Sequence, residues 1–359
     1  MNLVLQCLLI VGLAGLGSYG LGYASRWFAK KAKAIDVPSP LVPKKIHRFP
    51  TPMFGGLGIF LVGMIGMIVL AKLGFLSPAL ELRQLIGFGL GATLLLVVGL
   101  LDDRYTLPPR VLFPPYALAC FLVVLGGTSV HSITHPFMPG SLSLVWQEWT
   151  FISGVLSFVW PADVLTIGWL LILLFSTKFM DGLDGLVSGQ ATIGAGIILL
   201  LCLLPTYHLP AIALLSALML GSYLGFLPSN VFPAKQFLGE AGSTLAGFTL
   251  GFLAIASGAK LATAFMALGV ALIDVALVIF GRFRRHVPIT QGDRTHLHHQ
   301  LLDAGFSQRR VVGILWSVGL LFGLAALVLQ TRGKLLLLGL LVILTIGLSI
   351  YATKRRQHA

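Results

Sequence analysis

The sequence predicts an all-α polytopic integral membrane protein, and three observations support this fold class. Hydrophobic residues make up 57% of the 359 residues and charged residues only 10%. A soluble fold of this length could not bury so much apolar surface behind so few charges. The apolar residues also fall into blocks of about 20, the length that a helix needs to cross a bilayer. Without repeats or low-complexity linkers, the chain is expected to form a single transmembrane domain, 1–359.

Eleven apolar blocks, bounded by proline, glycine and charge, are predicted to be transmembrane helices. They cover about 3–27, 54–72, 84–101, 111–128, 162–180, 186–204, 211–228, 242–258, 261–281, 311–330 and 335–351. Small residues four positions apart, as in Gly87/Gly91 and Gly247/Gly251, allow close helix approach. The first block lacks a basic segment before it and a cleavage site after it, so we interpret it as a retained span.

The basic residues predict an N-terminus outside and a C-terminus inside, in a multi-pass protein of the inner (plasma) membrane. Most of the 25 Lys and Arg residues then lie inside, as the positive-inside rule requires. The formal net charge of +13 needs no nucleic-acid partner, because anionic lipid and an anionic substrate account for it. The outside segment at 129–161 is too polar to span, and its Ser141-Leu-Ser-Leu-Val alternation indicates a hairpin or an interfacial segment.

Acidic residues are the strongest indication of function, because only twelve are present and most lie at the predicted inside boundary. Carboxylates at membrane depth are costly and are normally retained for a site. Asp102 and Asp103 close the third span, where neighbouring helical residues point about 100° apart. Asp181 and Asp184 have i,i+3 spacing, which predicts one shared helical face. Such hard oxygen ligands suit Mg²⁺ held together with substrate phosphates.

Two basic segments are predicted on the same side of the membrane. The first precedes Gly55-Gly56 and contains Lys45, His47 and Arg48. The second is a loop at about 282–310 that contains Arg294, His296, His298 and His299. Zinc is disfavoured there because no Cys or third helix-spaced ligand is present, which leaves phosphate binding or loop structure. The residues therefore predict a site for Mg²⁺ and a phosphate-bearing, lipid-associated substrate, without identifying the reaction.

At these positions the sequence resembles the polyprenyl-phosphate N-acetylhexosamine-1-phosphate transferase superfamily, glycosyltransferase family 4. The resemblance runs from the Lys45-Ile-His47 loop to Gly305-Phe306. Five motifs occur in family order: the Lys-x-His and Gly-Gly segment, Asp102-Asp103, the DGLDGL at 181–186, Phe237-Leu-Gly-Glu-Ala-Gly-Ser243 and the histidine loop. The histidine loop is more similar to the WecA/TagO branch than to the related MraY branch.

The resemblance implies an activity and its cofactor. It implies transfer of an N-acetylamino-sugar-1-phosphate, GlcNAc-1-phosphate above others, from a UDP-sugar to undecaprenyl or another polyprenyl phosphate. UMP is released, and the implied transfer is the first membrane step of cell-envelope polysaccharide synthesis. The implied cofactor is Mg²⁺, with Mn²⁺ as a substitute, and a homodimer is left open.

The resemblance also implies roles for individual residues. Asp102 resembles the acceptor-handling base, with Asp103 beside it, whereas Asp181 and Asp184 resemble carboxylates around the nucleotide and metal. Phe237 resembles an aromatic residue that stacks on uracil. The residues that resemble phosphate contacts are Lys45, His47, Arg294, His296, His298 and His299. The expected metal ligands are Asp102, Asp181 and Glu240.

Two positions depart from the family pattern. The motif before Asp181 usually carries asparagines, where this chain has Phe175 and Lys178. The fourth motif usually reads Phe-x-Gly-Asp, where this chain has Gly239-Glu240. A carboxylate is therefore retained one methylene further out, at a predicted helix N-terminus that favours anions.

Three other interpretations stay open. The first is an MraY-type enzyme that acts on a muramoyl-peptide nucleotide. The second is a transporter of an anionic or lipid-linked substrate, for which Asp274 in the ninth span would be the key residue, although we expect Asp274 to be a packing or inner-end residue. The third is a relative that binds substrate but has lost catalysis through Glu240 and Lys178.

Overall fold

The computed structural model describes residues 2–38, 49–135, 140–152, 156–258, 261–286 and 295–357. The helices in these ranges are α1 (Leu3–Lys31), α2 (Gly55–Lys72), α3 (Leu82–Tyr105), α4 (Pro109–Leu125), α5 (Ala162–Met180), α6 (Leu186–Leu203), α7 (Pro210–Asn230), α8 (Gly239–Ala256), α9 (Leu261–Arg284), α10 (Leu297–Asp303), α11 (Gln308–Val328) and α12 (Thr331–Gln357). The strands form three antiparallel pairs: β1 (Ile35–Asp36) with β2 (Thr51–Pro52), β3 (Ser132–Thr134) with β4 (Ser141–Ser143), and β5 (Val145–Ile152) with β6 (Leu156–Pro161).

Every predicted span overlaps a long helix, and nine helices of the described chain are long and apolar enough to cross a membrane. α4 has only 17 residues, and α8, which is rich in glycine, serine and threonine, is not among the nine. The class of multi-pass helical membrane protein is therefore confirmed. The count of eleven crossings and the orientation stay predictions.

Helix α8 lies at the centre of the bundle and is buried along nearly its whole length. Its small residues allow this position: a Cβ added to Gly247 would lie 2.2 Å from the carbonyl oxygen of Leu173 in α5. Likewise, a Cβ on Gly91 of α3 would lie 2.7 Å from the carbonyl oxygen of Ala119 in α4. The predicted close approaches through small residues are therefore present, and they bring α3, α4, α5 and α8 together.

The segment between α4 and α5 contains the strand pairs β3–β4 and β5–β6, and the alternation at Ser141 falls in the first of these pairs. Asp163, in the first turn of α5, holds this segment against the bundle. Its Oδ2 accepts a hydrogen bond of 2.7 Å from the backbone N–H of Val159, and its Oδ1 accepts one from the Ser129 hydroxyl.

Near the C-terminal ends of α3 and α5, the start of α2 packs against the start of α8. The backbone N–H groups of Gly55 and Gly56 donate to the carbonyl oxygens of Phe237 and Leu238 at 3.1 and 2.9 Å. A Cβ on Gly56 would lie 2.3 Å from the backbone nitrogen of Gly242. The Gly-Gly segment therefore serves to fix the N-terminus of α8.

Candidate active site

A cavity of about 1710 Å³ opens where α3 and α5 end and α8 begins. Its charged lining consists of Asp36, Asp102, Asp103, Arg110, Lys178, Asp181, Asp184, Glu240, Arg282, His296 and His299, and Phe237 lines it as well. It continues into an apolar part formed by α4, α5 and α9, with Phe113, Ile172, Phe175, Val275, Ile279 and Phe283. Acidic and histidine motifs that are far apart in sequence thus share one site.

The paired aspartates at the end of α3 have different tasks. Asp102 is half-buried, and its Oδ1 accepts a 2.7 Å hydrogen bond from the backbone N–H of Leu107, just after the helix. Asp103 is buried, and its Oδ1 accepts a 2.7 Å hydrogen bond from the backbone N–H of Glu240. Asp103 therefore ties α3 to the first turn of α8, whereas Asp102 stays beside the cavity.

The prediction that Asp181 and Asp184 share one helical face is wrong. α5 ends at Met180, and residues 181–185 form turns before α6, with Gly185 at φ +80°. Glycine adopts this left-handed conformation without strain, and Gly185 is the residue from which α6 begins. Asp184 Oδ2 accepts a 2.9 Å hydrogen bond from the backbone N–H of Ala234. Both carboxylates nevertheless line the cavity.

The pKa of Asp181, in the turn after α5, is shifted by its surroundings. Burial, followed by repulsion from Glu240 and Asp184, raises the pKa of Asp181 to about 8. Burial disfavours the charged form of a carboxyl group, and nearby carboxylates add to that effect. The site therefore favours a cation or a proton at Asp181.

Glu240 lies in the first turn of α8, as predicted, but its carboxylate is engaged by other side chains. The Lys178 ammonium and the Tyr116 hydroxyl both donate to Glu240 Oε1. Lys178 Nζ also lies 3.4 Å from the Tyr116 hydroxyl oxygen and 5.1 Å from the centre of its ring. The two charged departures from the family pattern are therefore in direct contact with each other, and both also contact Tyr116, a residue that the sequence did not single out.

The histidine loop is anchored by Asp274, for which the sequence predicts the role of a packing or inner-end residue. Asp274 is buried in α9, and its Oδ2 lies 2.8 Å from His296 Nδ1. Its Oδ1 accepts a 2.7 Å hydrogen bond from the backbone N–H of Leu297. His298 and His299 are also buried, and a Cβ on Gly182 would lie 2.6 Å from His298 Nε2. The α10 segment thus packs onto the turn that carries Asp181.

Of the four remaining predicted site residues, the structure describes only Phe237. Phe237 is half-buried at the cavity, where its backbone N–H donates to the Pro52 carbonyl oxygen at 2.9 Å. Its stacking on a base stays a prediction. Lys45, His47 and Arg294 lie outside the described residues.

The described residues fit a bound Mg²⁺ in part. No group of three or more His, Cys, Asp or Glu side chains in the described ranges is arranged to hold a metal ion. Asp102 and Asp181 offer carboxylates in one negatively charged cavity, and Mg²⁺ commonly takes one or two carboxylates together with substrate phosphates. Glu240 fits poorly, because Lys178 already neutralises it.

The fold and cavity define a multi-pass membrane protein with a charged site that continues into an apolar groove. Comparison with known proteins identifies the family to which this chain is similar. The model of glycosyl transferase family 4 matches residues 85–258. A Bacillus subtilis (strain 168) protein named probable undecaprenyl-phosphate N-acetylglucosaminyl 1-phosphate transferase is 30% identical over 330 residues, 90% of this chain and 85% of that protein.

Two further relatives extend the comparison. The decaprenyl-phosphate N-acetylglucosaminephosphotransferase of Mycobacterium tuberculosis (strain ATCC 25618 / H37Rv) is 30% identical, over 90% of this chain and 83% of that protein. The phospho-N-acetylmuramoyl-pentapeptide-transferase of Halalkalibacterium halodurans is 29% identical, over 78% of this chain and 83% of that protein. The chain belongs to glycosyl transferase family 4, which confirms the resemblance read from its motifs.

Proposed function

We propose that this protein transfers an N-acetylamino-sugar-1-phosphate, GlcNAc-1-phosphate above others, from a UDP-sugar to a polyprenyl phosphate and releases UMP. The observation that carries the proposal is the two-part cavity, with charged groups at the ends of α3, α5 and α8 and an apolar extension along α4, α5 and α9. This shape suits an acceptor with a phosphate head and a long hydrocarbon chain. Relatives named for that transfer support the same conclusion.

In the proposed reaction the lipid phosphate is itself the nucleophile, so the protein has little covalent chemistry to perform. A phosphate oxygen of the lipid attacks the phosphorus that bears the sugar, a new P–O bond forms, and the bond to UMP breaks. Two anions must be brought together and the shifting charge stabilised, so positioning and electrostatics dominate. Asp102 lies where it can orient the acceptor, and Lys178 and His299 bring basic groups to the same cavity.

We propose Mg²⁺ as the cofactor, held by Asp102 and Asp181 together with substrate phosphates. When bound, such an ion polarises phosphoryl oxygens and stabilises the charge on the leaving group. Asp103 acts indirectly, because it fixes the first turn of α8. The proposed location is the inner (plasma) membrane, with the cavity facing the cytoplasm, where UDP-sugars are made available.

A second candidate activity is the MraY-type transfer from a muramoyl-pentapeptide nucleotide. Relatives with that name match 76–78% of this chain at 28–29% identity, which is close to the identity of the first group. The same cavity serves either donor, because both carry UDP, and the difference lies in the sugar substituent.

The test is UMP release by the purified protein with undecaprenyl phosphate and Mg²⁺. The donors are UDP-GlcNAc, UDP-GalNAc and UDP-MurNAc-pentapeptide, each with and without the lipid phosphate. We expect acceptor-dependent UMP release, fastest with UDP-GlcNAc. Release only with the muramoyl donor would support the second candidate, and no release with any donor would contradict both.

A further inference from the structure

Lys178 is a mostly buried lysine that lines a cavity rich in carboxylates. It lies in the last turn of α5, and its side chain is 20% exposed. It lines the same cavity as Asp102, Asp181 and Glu240. A long cationic side chain ordinarily extends into water, so its retention at this depth needs fixed partners.

Those partners are Glu240 and Tyr116, from two other helices. The ammonium donates to the Glu240 carboxylate and to the Tyr116 hydroxyl, and that hydroxyl donates in turn to Glu240. Tyr116 is completely buried, and the Glu240 backbone is fixed by Asp103. The cation is therefore held in place by α4, α5 and α8 before any substrate arrives.

This arrangement changes the role expected of Glu240. Lys178 contacts Oε1 of Glu240, so a divalent ion bound through either oxygen of this carboxylate would lie beside the ammonium and be repelled by it. Mg²⁺ also demands near-ideal octahedral geometry at about 2.0–2.1 Å, which leaves little room for a competing ammonium. The positive charge beside the Glu240 carboxylate is thus supplied by Lys178 and not by a metal ion.

The ammonium retains capacity for a substrate. It has three N–H donors, and the contacts with Glu240 and Tyr116 use two of them. Lysine is a common point-charge partner for phosphate. A diphosphate in this cavity offers oxygens that the surrounding carboxylates repel and that a fixed cation attracts.

We propose that Lys178 is a built-in cation that binds the diphosphate of the UDP-sugar, positioned by Glu240 and Tyr116, and that Glu240 is not a metal ligand. The proposal rests on the proposed function for the identity of the substrate. It predicts that part of the donor affinity is independent of divalent ions. Glu240 acts through Lys178 and is a positioning residue.

The first arm of the test measures UDP binding by titration calorimetry in excess EDTA, which requires no turnover. We expect the wild type to bind UDP and Lys178→Gln to bind it about tenfold or more weakly, because a charge-assisted hydrogen bond is lost. Lys178→Arg, which keeps the charge, should bind more tightly than Lys178→Gln. The matched control is Lys72→Gln in the last turn of α2, outside the cavity, which should bind as the wild type does.

The second arm titrates Mg²⁺ against UMP release. Glu240→Gln should leave the half-saturating Mg²⁺ concentration within about twofold of wild type, while the KM for the UDP-sugar rises because Lys178 loses its partner. The double variant Lys178→Asn/Glu240→Asp, which restores the usual family residues, should require Mg²⁺ for UDP binding. Size-exclusion profiles establish that each variant is folded.

Two outcomes overturn the proposal: equal UDP affinity in EDTA for wild type and Lys178→Gln, or a large loss of Mg²⁺ affinity in Glu240→Gln. Absence of UMP release by the wild type with every donor would instead refute the proposed function. The calorimetric arm would still decide whether Lys178 binds a diphosphate.

Discussion

Asp274→Asn tests whether the histidine loop is held in place by a carboxylate in α9. The carboxylate accepts from His296 Nδ1 at 2.8 Å and from the backbone N–H of Leu297 at 2.7 Å. Asparagine has one side-chain oxygen, so when that oxygen accepts from Leu297 the imidazole of His296 faces the neutral N–H₂ group. The variant therefore removes the negative charge that orients His296 and preserves most of the packing.

The expected magnitude follows from the interaction that is lost. A hydrogen bond to a charged group contributes about 1.5–3 kcal/mol, and about 1.4 kcal/mol corresponds to a tenfold change in rate. If that energy positions His296 against a substrate phosphate, kcat/KM for UMP release should fall about 10- to 100-fold. Asp274→Ala should also lower stability, because the N–H of Leu297 loses its buried acceptor.

Asp163→Asn is the matched control, because Asp163 is also a buried aspartate that holds a loop to a helix. It accepts from the backbone N–H of Val159 at 2.7 Å and from the Ser129 hydroxyl, at the opposite end of α5 from the cavity. We expect its turnover per folded molecule to stay within about twofold of wild type. Wild-type kcat/KM in Asp274→Asn, or an equal loss in Asp163→Asn, would refute the positioning role.

The remaining predictions concern topology, chemistry and packing. A cysteine introduced near Arg104 should react with an impermeant thiol reagent only from the cytoplasmic side, and one near His135 only from outside; labelling of both from one side would contradict the orientation. Asp102→Asn and Asp181→Asn should each reduce UMP release at saturating Mg²⁺ by at least tenfold while the protein stays folded, and unchanged release in either would remove its assigned role. Asp181→Asn should also raise the thermal midpoint at pH 8 without divalent ions. The folded-state pKa of Asp181 is about 8 against an ordinary value of 3.8, so wild-type stability falls as pH rises between these values. Equal midpoints at pH 8 would contradict the raised pKa. Gly247→Leu should abolish the folded peak in size-exclusion chromatography, because its Cβ would lie 2.2 Å from the Leu173 carbonyl oxygen, which is backbone and cannot move aside; a normal profile would contradict the close approach of α5 and α8.

The helices were predictable because lipid leaves a long apolar segment no alternative to helical hydrogen bonding. The turn at Asp181 was not, because i,i+3 spacing predicts a shared face only if the helix continues, and α5 ends at Met180 with Asp181 in a non-helical conformation at ψ 51°. The acidic cavity itself followed from the placement of carboxylates at span ends. Its location followed from the alternation of the spans: carboxylates that follow α3 and α5 or open α8 are expected at one membrane surface, whereas Asp163, at the start of α5, is expected at the other.

The contacts within the site could not be predicted in the same way. Tyr116 and Glu240 are 124 positions apart and Asp274 and His296 are 22 apart. Neither pair has a sequence spacing that implies contact, because the pairing depends on how helices pack and not on periodicity along one helix. A signal was available for Lys178 and Glu240, since both depart from the family pattern, and residues that change together are often in contact.

That contact also bears on whether the chain has lost catalysis. Two unrelated substitutions would give no reason for the altered residues to pair with each other. Instead, Lys178 pairs with Glu240, and the longer glutamate reaches the ammonium from a helix end that Asp103 fixes. An uncompensated buried charge is strongly destabilising, so each substitution makes the other tolerable, while Asp102, Asp103, Asp181 and Asp184 all remain at the cavity. The two departures therefore form one compensated change in how the site supplies positive charge, which favours an active transferase over a protein that only binds its substrate.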